Sequence, residues 1–537
     1  CGNGQVDPGE VCDVNAPPAE CTDFGFSMPG PVLCRPDCLA YDWNVSFCPT
    51  MCGDGTVEPG EDCDLGGGSS ADCDADCSFP VCRDGVLNAE AGAAYDESDL
   101  GLRRFATLAP TLSANDFFGT DVAVGDFDGD LLLDLVVTAR FADVGGVNQS
   151  EGTLHVYLND GVGLAPSGQA PLAGEFNLSG FGDHLGYSVA VADVNLDTFD
   201  DIIAGATRLQ TTIVDEGGAK VFLSNGDGTF NTTPTVISAG VQDSGAGTDV
   251  VATDLNGDDI PDVLLGAPFL PNLVDFNGGV YVALGDGSGN FAPPSTVLGP
   301  VTGGFFGESI AVADLDGDDV PDLISGSHRA TNSAMQSSAG VVYWMPGLGD
   351  GTFGAAQVVT EGVVANGELG HTVTVADVDG DGAQDVLASY MVYDAVTFGS
   401  NEGAIWIGYG DGAGGFVEED LLVGLPGSGD TNELLVVDAN ADGLNDVIRG
   451  SWSFTNGQYY EGATLVHLAT GVREFNDPAR AVETNQASSG ANAGLASADF
   501  DNDGLNEIVV GVWQSDSVAQ DAGEVFIYSS CEAIPFF

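Results

Sequence analysis

From about residue 100 onward the apolar positions fall in short runs, separated by glycine-rich polar stretches. Runs such as Thr120-Asp-Val-Ala-Val124 and Ser309-Ile-Ala-Val-Ala313 precede an acidic segment, and Leu135-Val-Val137, Val263-Leu-Leu265 and Ile508-Val-Val510 follow it. A glycine turn then opens a third run, as in Gly279-Val-Tyr-Val-Ala-Leu284 and Gly523-Glu-Val-Phe-Ile-Tyr528. A further turn such as Gly226-Asp-Gly-Thr-Phe230 leads into a fourth segment. Short β-branched runs bounded by glycine predict strands, four to each copy of this pattern.

The acidic segment occurs seven times. In order it reads Asp126-Phe-Asp128-Gly-Asp130-Leu-Leu132-Leu-Asp134, Asp193-Val-Asn195-Leu-Asp197-Thr-Phe199-Asp-Asp201 and Asp254-Leu-Asn256-Gly-Asp258-Asp-Ile260-Pro-Asp262. Then come Asp314-Leu-Asp316-Gly-Asp318-Asp-Val320-Pro-Asp322 and Asp377-Val-Asp379-Gly-Asp381-Gly-Ala383-Gln-Asp385. Asp438-Ala-Asn440-Ala-Asp442-Gly-Leu444-Asn-Asp446 and Asp499-Phe-Asp501-Asn-Asp503-Gly-Leu505-Asn-Glu507 complete the set. The period is about 62 residues, which signals a repeat architecture. Seven copies of four strands predict an all-β fold, a seven-bladed β-propeller over 100–537. After Tyr528 the chain has no room for a last outer strand, so Leu102-Arg-Arg-Phe-Ala-Thr-Leu108 is expected to close blade seven and remove the exposed edge.

The acidic segments specify hard-cation chemistry. Positions 1, 3, 5 and 9 offer side-chain oxygens and position 7 a backbone carbonyl, which suits calcium and its six to eight oxygen ligands. The position-7 residues are Leu132, Phe199, Ile260, Val320, Ala383, Leu444 and Leu505. About seven structural Ca²⁺ are therefore expected, with magnesium disfavoured by its stricter octahedral geometry. An EF-hand is excluded: Val137 and Leu265 stand where its glutamate belongs, and strands follow in place of helices. Loop two lacks glycine at positions 4 and 6, so it is expected to empty first on calcium depletion.

Glycines frame these loops. One lies seven residues upstream (Gly119, Gly186, Gly247, Gly307, Gly370), and one lies four residues downstream (Gly205, Gly266, Gly326, Gly450, Gly511). With Phe118-Gly119, Phe306-Gly307 and Gly266-Ala-Pro268 they spell the FG-GAP repeat, and the region resembles the seven-bladed propeller of integrin α subunits and its bacterial relatives. The resemblance implies calcium in the loop between the first two strands of a blade and partner binding through loops on one face. Copies six and seven lack the upstream glycine, and copies one and five lack the downstream one.

The amino-terminal region has another character. Eleven of twelve cysteines lie between Cys1 and Cys82, and the twelfth is Cys531. Cys1-Gly-Asn-Gly-Gln-Val-Asp-Pro-Gly-Glu-Val-Cys12-Asp recurs as Cys52-Gly-Asp-Gly-Thr-Val-Glu-Pro-Gly-Glu-Asp-Cys63-Asp, and a decayed third copy starts at Cys82. The string resembles a cysteine-rich repeat of myxobacterial and protist surface proteins. It divides the region into a first repeat over 1–51 and a second, with the decayed copy, over 52–99. Such density reads as a disulfide framework made in an oxidising compartment; zinc is the competing reading, but no histidine precedes His155. Cys1 to Cys48 holds six cysteines and Cys52 to Cys82 holds five, so a Cys82–Cys531 bridge is the economical pairing. A free or intermolecular Cys531 is the alternative.

Charge narrows the function. Eleven Lys and Arg against 82 Asp and Glu give a net charge of −71, which excludes nucleic acid and anionic lipid as partners. Seven Ca²⁺ would return only +14, so the excess is expected on a solvated, repulsive surface, and the single lysine, Lys220, fits that picture. A hydrophobic share of 43% argues against disorder. No apolar run reaches the roughly 18 residues of a membrane span, and no signal peptide is visible, so any export segment is expected outside this sequence. The five histidines are scattered, and GxSxG, HExxH and P-loop motifs are absent from the sequence. The expectation is an extracellular, non-enzymatic adhesion or recognition module at the cell surface, binding a protein or glycan. The alternatives are a subunit of a filament or surface layer built of its own copies, or a propeller-scaffold hydrolase or lyase acting on polysaccharide or phosphoester.

Overall fold

Each of the seven repeats folds into its own antiparallel sheet in the computed structural model. The structure describes residues 102–530, apart from 110–114, 145–149, 162, 176–181, 271–275, 394–400, 426–427, 430, 441, 452–462, 476–479, 484–493, 503 and 514–521, together with 19–20 and 31–32. Residues 1–103 and 104–537 form two compact units. In the first, Ala19–Glu20 pairs with Pro31–Val32. The cysteine repeats and the Cys82–Cys531 bridge expected from the sequence lie outside the described residues.

The blades follow one plan. In blade four, Ile310–Ala313, Asp322–Ser327, Val341–Met345 and Gln357–Glu361 pair in chain order. Blade one departs only by adding a fifth short strand, Leu172–Ala173, against its third. In blade seven, Leu495–Ala498, Glu507–Val512 and Glu524–Ser530 are completed by Leu102–Leu108 at the outer edge, as the sequence predicts. The second strand of every blade is buried along its whole length, which is why its central positions are mostly Val, Ile and Leu, while outer strands such as Ser295–Leu298 are largely exposed.

Hydrophobic cores lie between blades. Val136, Leu154 and Phe127 of blade one pack with Leu185, Ile202 and Phe222 of blade two, and comparable clusters join each following pair as far as blade six. Blade seven meets blade one in the same way: Phe500, Val509 and Ile527 pack on Phe118, Leu135 and Val137, with Ala106 and Leu108 of the closing strand against them. At about 1.5–3 kcal/mol for each fully buried large side chain, these shared cores are the main force holding the ring.

The framing glycines explain how blades approach so closely. Gly205, Gly266, Gly326 and Gly511 each lie against the upstream glycine of the next blade: Gly247, Gly307, Gly370 and Gly119. A Cβ on Gly247 would stand 3.1 Å from the Gly205 Cα, and one on Gly370 would stand 2.9 Å from the Gly326 Cα. Where blade one lacks its downstream glycine, Thr138 stands instead, and its hydroxyl accepts the Asp121 amide at 3.0 Å. Ser389 does the same for Thr372 in blade five.

Lys220 departs from the surface picture drawn from composition. It is buried in the third strand of blade two, 2.6 Å from Asp183. An apolar interior admits a cation only when it is paired, so the single lysine serves the core. Arg449 is likewise fully buried, donating to Ser428 Oγ at 2.8 Å and to the Glu402 carbonyl at 2.9 Å. Burial lowers its guanidinium to about 9 and pushes His467 down to about 3. His155 and His467 both sit in third strands, and the His155 ring lies edge-on to Phe118 with centroids 5.2 Å apart.

Candidate metal centres

Every acidic segment is the hairpin loop between the first two strands of its blade. The residue before position 1 pairs with the residue at position 9 in all seven copies, from Gly125 with Asp134 to Ala498 with Glu507. Closing a hairpin over so short a span forces positions 4 and 6 into the left-handed region, as at Gly129 (φ +80°) and Leu131 (φ +71°). Loop five meets this demand with two glycines, Gly380 and Gly382. Loop two meets it with Leu196 (φ +60°) and Thr198 (φ +77°), a conformation costing a non-glycine residue on the order of 1 kcal/mol or more.

The position-9 carboxylate is the anchor. Asp322 accepts the Leu315 amide at 3.0 Å and the Gly347 amide at 2.8 Å, tying the loop to the end of the third strand. The same pair of bonds recurs at Asp134, Asp201, Asp262, Asp385 and Asp446. Glu507, one methylene longer, accepts the Phe500 amide at 2.7 Å. These groups are fully or almost fully buried. Burial pushes Asp134, Asp201 and Asp446 up to about 7, against the two amides, and nearby carboxylates add to the rise. The apolar residue at position 2, such as Phe127, Leu255 or Phe500, is buried and brings its amide within reach.

Positions 1, 3 and 9 converge. Asp126, Asp128 and Asp134 place one oxygen each within 4.8 Å of one another, as do Asp314, Asp316 and Asp322; Asp377, Asp379 and Asp385; and Asp499, Asp501 and Glu507. In loop four the Asp316 Oδ1 is buried with no hydrogen-bond partner among the described residues. Three converging carboxylates and an orphaned inward oxygen fit a hard divalent cation. Loops two, three and six carry Asn at position 3. Asn195 donates to Asp197 at 3.0 Å, and Asn256 donates to Asp262 at 3.3 Å. The position-5 carboxylates Asp130, Asp197, Asp258, Asp318, Asp381 and Asp442 cap the position-7 amides at 2.8–3.0 Å, which fixes the turn. Asp503 lies outside the described residues.

A second set of polar residues escaped the sequence reading. Five positions before each of loops one to four, on or just before the innermost strand, a side chain reaches the next blade. Asp121 accepts the Val189 amide at 2.8 Å, Ser188 that of Val250 at 3.2 Å, Asp249 that of Ile310 at 2.7 Å and Ser309 that of Val373 at 3.1 Å. They line a central cavity of about 660 Å³ with Arg140, Tyr187, Glu308, His371, Glu433 and Trp513. An isolated polar residue recurring at one offset within an apolar strand was the available signal.

A ring of hairpin sheets, with converging carboxylates in four of the loops and paired glycines between blades, makes a seven-bladed propeller that is integrin α-like in its FG-GAP repeats. Residues 118–157 match the FG-GAP repeat, and 210–265 and 272–325 match the FG-GAP-like repeat. The chain is similar to human integrin alpha-7, 39% identical over 161 residues, which is 29% of this chain and 13% of the relative. It is similar to integrin alpha-5 of Xenopus laevis, 32% identical over 226 residues, covering 39% of the chain and 20% of the relative. Mouse integrin alpha-IIb is 32% identical over 236 residues, covering 42% and 21%. The matched stretch thus spans a fifth or less, or little more than a fifth, of these relatives. Among the described residues no helix is long and apolar enough to cross a membrane.

Proposed function

We propose that this chain is an extracellular recognition module of the adhesion type, non-enzymatic, whose propeller is held by about seven structural calcium ions. Its partner would be a protein or glycan at the cell surface. The integrin α-like propeller supports the adhesion reading, and the convergence of positions 1, 3 and 9 is the observation that carries the calcium reading. Asp126, Asp128, Asp130, Asp134 and the Leu132 carbonyl would hold the ion in loop one, and the corresponding residues would hold it in the other six. Bound calcium supplies the positive charge that offsets carboxylates otherwise repelling at close range. The protein's own share is to bury the position-9 group and pin it with two amides, so that a filled loop is welded to the third strand. Metal bound only by the folded chain adds stability by mass action.

Metal analysis and melting curves test this reading. The chain should contain several calcium ions per molecule, and excess chelator should lower its melting temperature steeply. Calcium should restore it better than equal magnesium. Unchanged melting, with no calcium bound beforehand, would sink the claim. For the adhesion reading, calcium-dependent binding of the isolated chain to cell surfaces is expected. Concentration-dependent assembly in its place would favour a filament or surface-layer subunit, and turnover of polysaccharide or phosphoester would favour an enzyme.

A further inference from the structure

Loop five already has a cation in contact with it. Arg473 sits in the hairpin joining Ala469–Gly471 to Glu474–Phe475 in blade six, with its backbone in the left-handed region at φ +57°. The base of this hairpin is fixed: the Ala469 amide donates to Asp446 of loop six at 2.7 Å, and Phe475 packs on the core between blades five and six. From that base the side chain crosses to blade five. Its Nε donates to Oδ2 of Asp379, its Nη2 to Oδ2 of Asp381 at 3.3 Å, and its Nη1 lies 3.6 Å from Glu418. The guanidinium also lies 4.6 Å from the Tyr409 ring centre, a favourable cation–π distance.

The choice of oxygens matters. In loop five the Oδ1 atoms of Asp379 and Asp381 are engaged by the amides of Asp381, at 3.1 Å, and Ala383, at 2.8 Å. The guanidinium takes the Oδ2 atoms, the ones the turn leaves over for a metal. With the guanidinium in place the Asp379 side chain has no solvent exposure. A guanidinium and a divalent ion repel, and each needs the same two oxygens, so they compete for one position.

We propose that Arg473 is a tethered competitor for calcium at loop five. It neutralises Asp379 and Asp381 while the metal is away, and it must give up their Oδ2 atoms for the metal to bind. Loop five is therefore the weakest site of the ring, despite having glycine at both left-handed positions, and it fills only at calcium levels that saturate loops one, four and seven. Backbone strain alone had marked loop two as the weakest; charge adds loop five and places it lower. The inference rests on the reading of these loops as calcium sites.

Equilibrium calcium binding to the full chain, with melting in excess chelator as a second readout, tests it. Arg473→Gln should leave the number of ions bound at saturation unchanged and tighten the weakest site at least tenfold. The same variant should melt lower than the parent in chelator, because the metal-free loop loses its counter-charge. Adding Asp379→Asn and Asp381→Asn to Arg473→Gln should abolish the tightening. Binding constants unmoved or weakened by Arg473→Gln, in a chain that fills its other loops, would overturn this inference alone. A chain that binds no calcium at any loop would overturn the calcium reading and this inference with it.

Discussion

Gly119 of blade one faces Gly511 of blade seven across the seam that closes the ring, so closely that a Cβ on Gly119 would stand 3.0 Å from the Gly511 Cα and 2.8 Å from the Glu524 carbonyl oxygen. Backbone on both sides leaves nothing flexible to yield. The seam is therefore built like every other described junction of paired glycines, with the closing strand added outside it.

Gly511→Ala is expected to destabilise the propeller by about 2–3 kcal/mol, the upper range for overpacking a site that cannot relax. Gly119→Ala should cost more, because φ there is +81° and alanine adds left-handed strain of about 1 kcal/mol. Gly240→Ala is the control: its φ is +69° but a Cβ would meet nothing within 4 Å, so only the strain remains. Denaturant unfolding of the three variants should give that order, and equal costs would show that close approach is not what selects glycine.

Positions 3 and 9 of a loop should behave differently when calcium is removed. Asp316→Ala removes a ligand that holds no strand in place, so it should lower the melting temperature in calcium and leave it unchanged or raised in chelator. Asp322→Ala also strands the amides of Leu315 and Gly347, each costing about 1–3 kcal/mol when buried and unpaired. It should therefore destabilise by about 2–6 kcal/mol in chelator as well. Identical behaviour of the two variants without metal would contradict the anchoring role given to position 9.

The loops, strands and glycine pairs were legible in the sequence because each is local. A nine-residue spacing, a run of β-branched residues or a glycine at fixed offset needs no knowledge of what lies across a blade. The contacts that were not legible join distant parts of the chain. Asp121 meets the Val189 amide 68 residues on, and Arg473 meets Asp379 across 94. Lys220 looked like a remnant of an acidic surface because composition carries no depth. Only the fold, which sets Asp183 2.6 Å from its amine, makes the residue half of a core ion pair.

Loop two tests the backbone argument separately from charge. Thr198 lies at φ +77° at position 6, where loops five, six and seven have glycine. Thr198→Gly should relieve about 1 kcal/mol of strain in the folded loop, partly offset by the greater freedom of glycine in the unfolded chain. The expected result is tighter calcium binding at one site, by up to about fivefold on that energy, with no loss of stability. Weaker binding would mean that the threonine side chain supports the loop in some other way.

The central cavity should make stability depend on pH in a defined direction. Asp121, Asp249 and Glu433 line it together with Arg140, Tyr187, Glu308 and His371. Burial raises Asp121 to about 7 and Asp249 to about 6, and it raises Glu433 well above the usual range, with the charges of the other two adding to it. Carboxyls raised in the folded chain bind protons more tightly there than in the unfolded one. Their contribution to stability is complete below about pH 4 and is lost as pH climbs through about 6 and about 7. In saturating calcium, where the loop carboxylates are committed to metal, Glu433→Gln removes one of the three charges while keeping the side-chain length. The variant should melt with the parent near pH 4 and above it at pH 8. Parallel curves across that interval would show that the three carboxyls do not share the cavity's electrostatic cost.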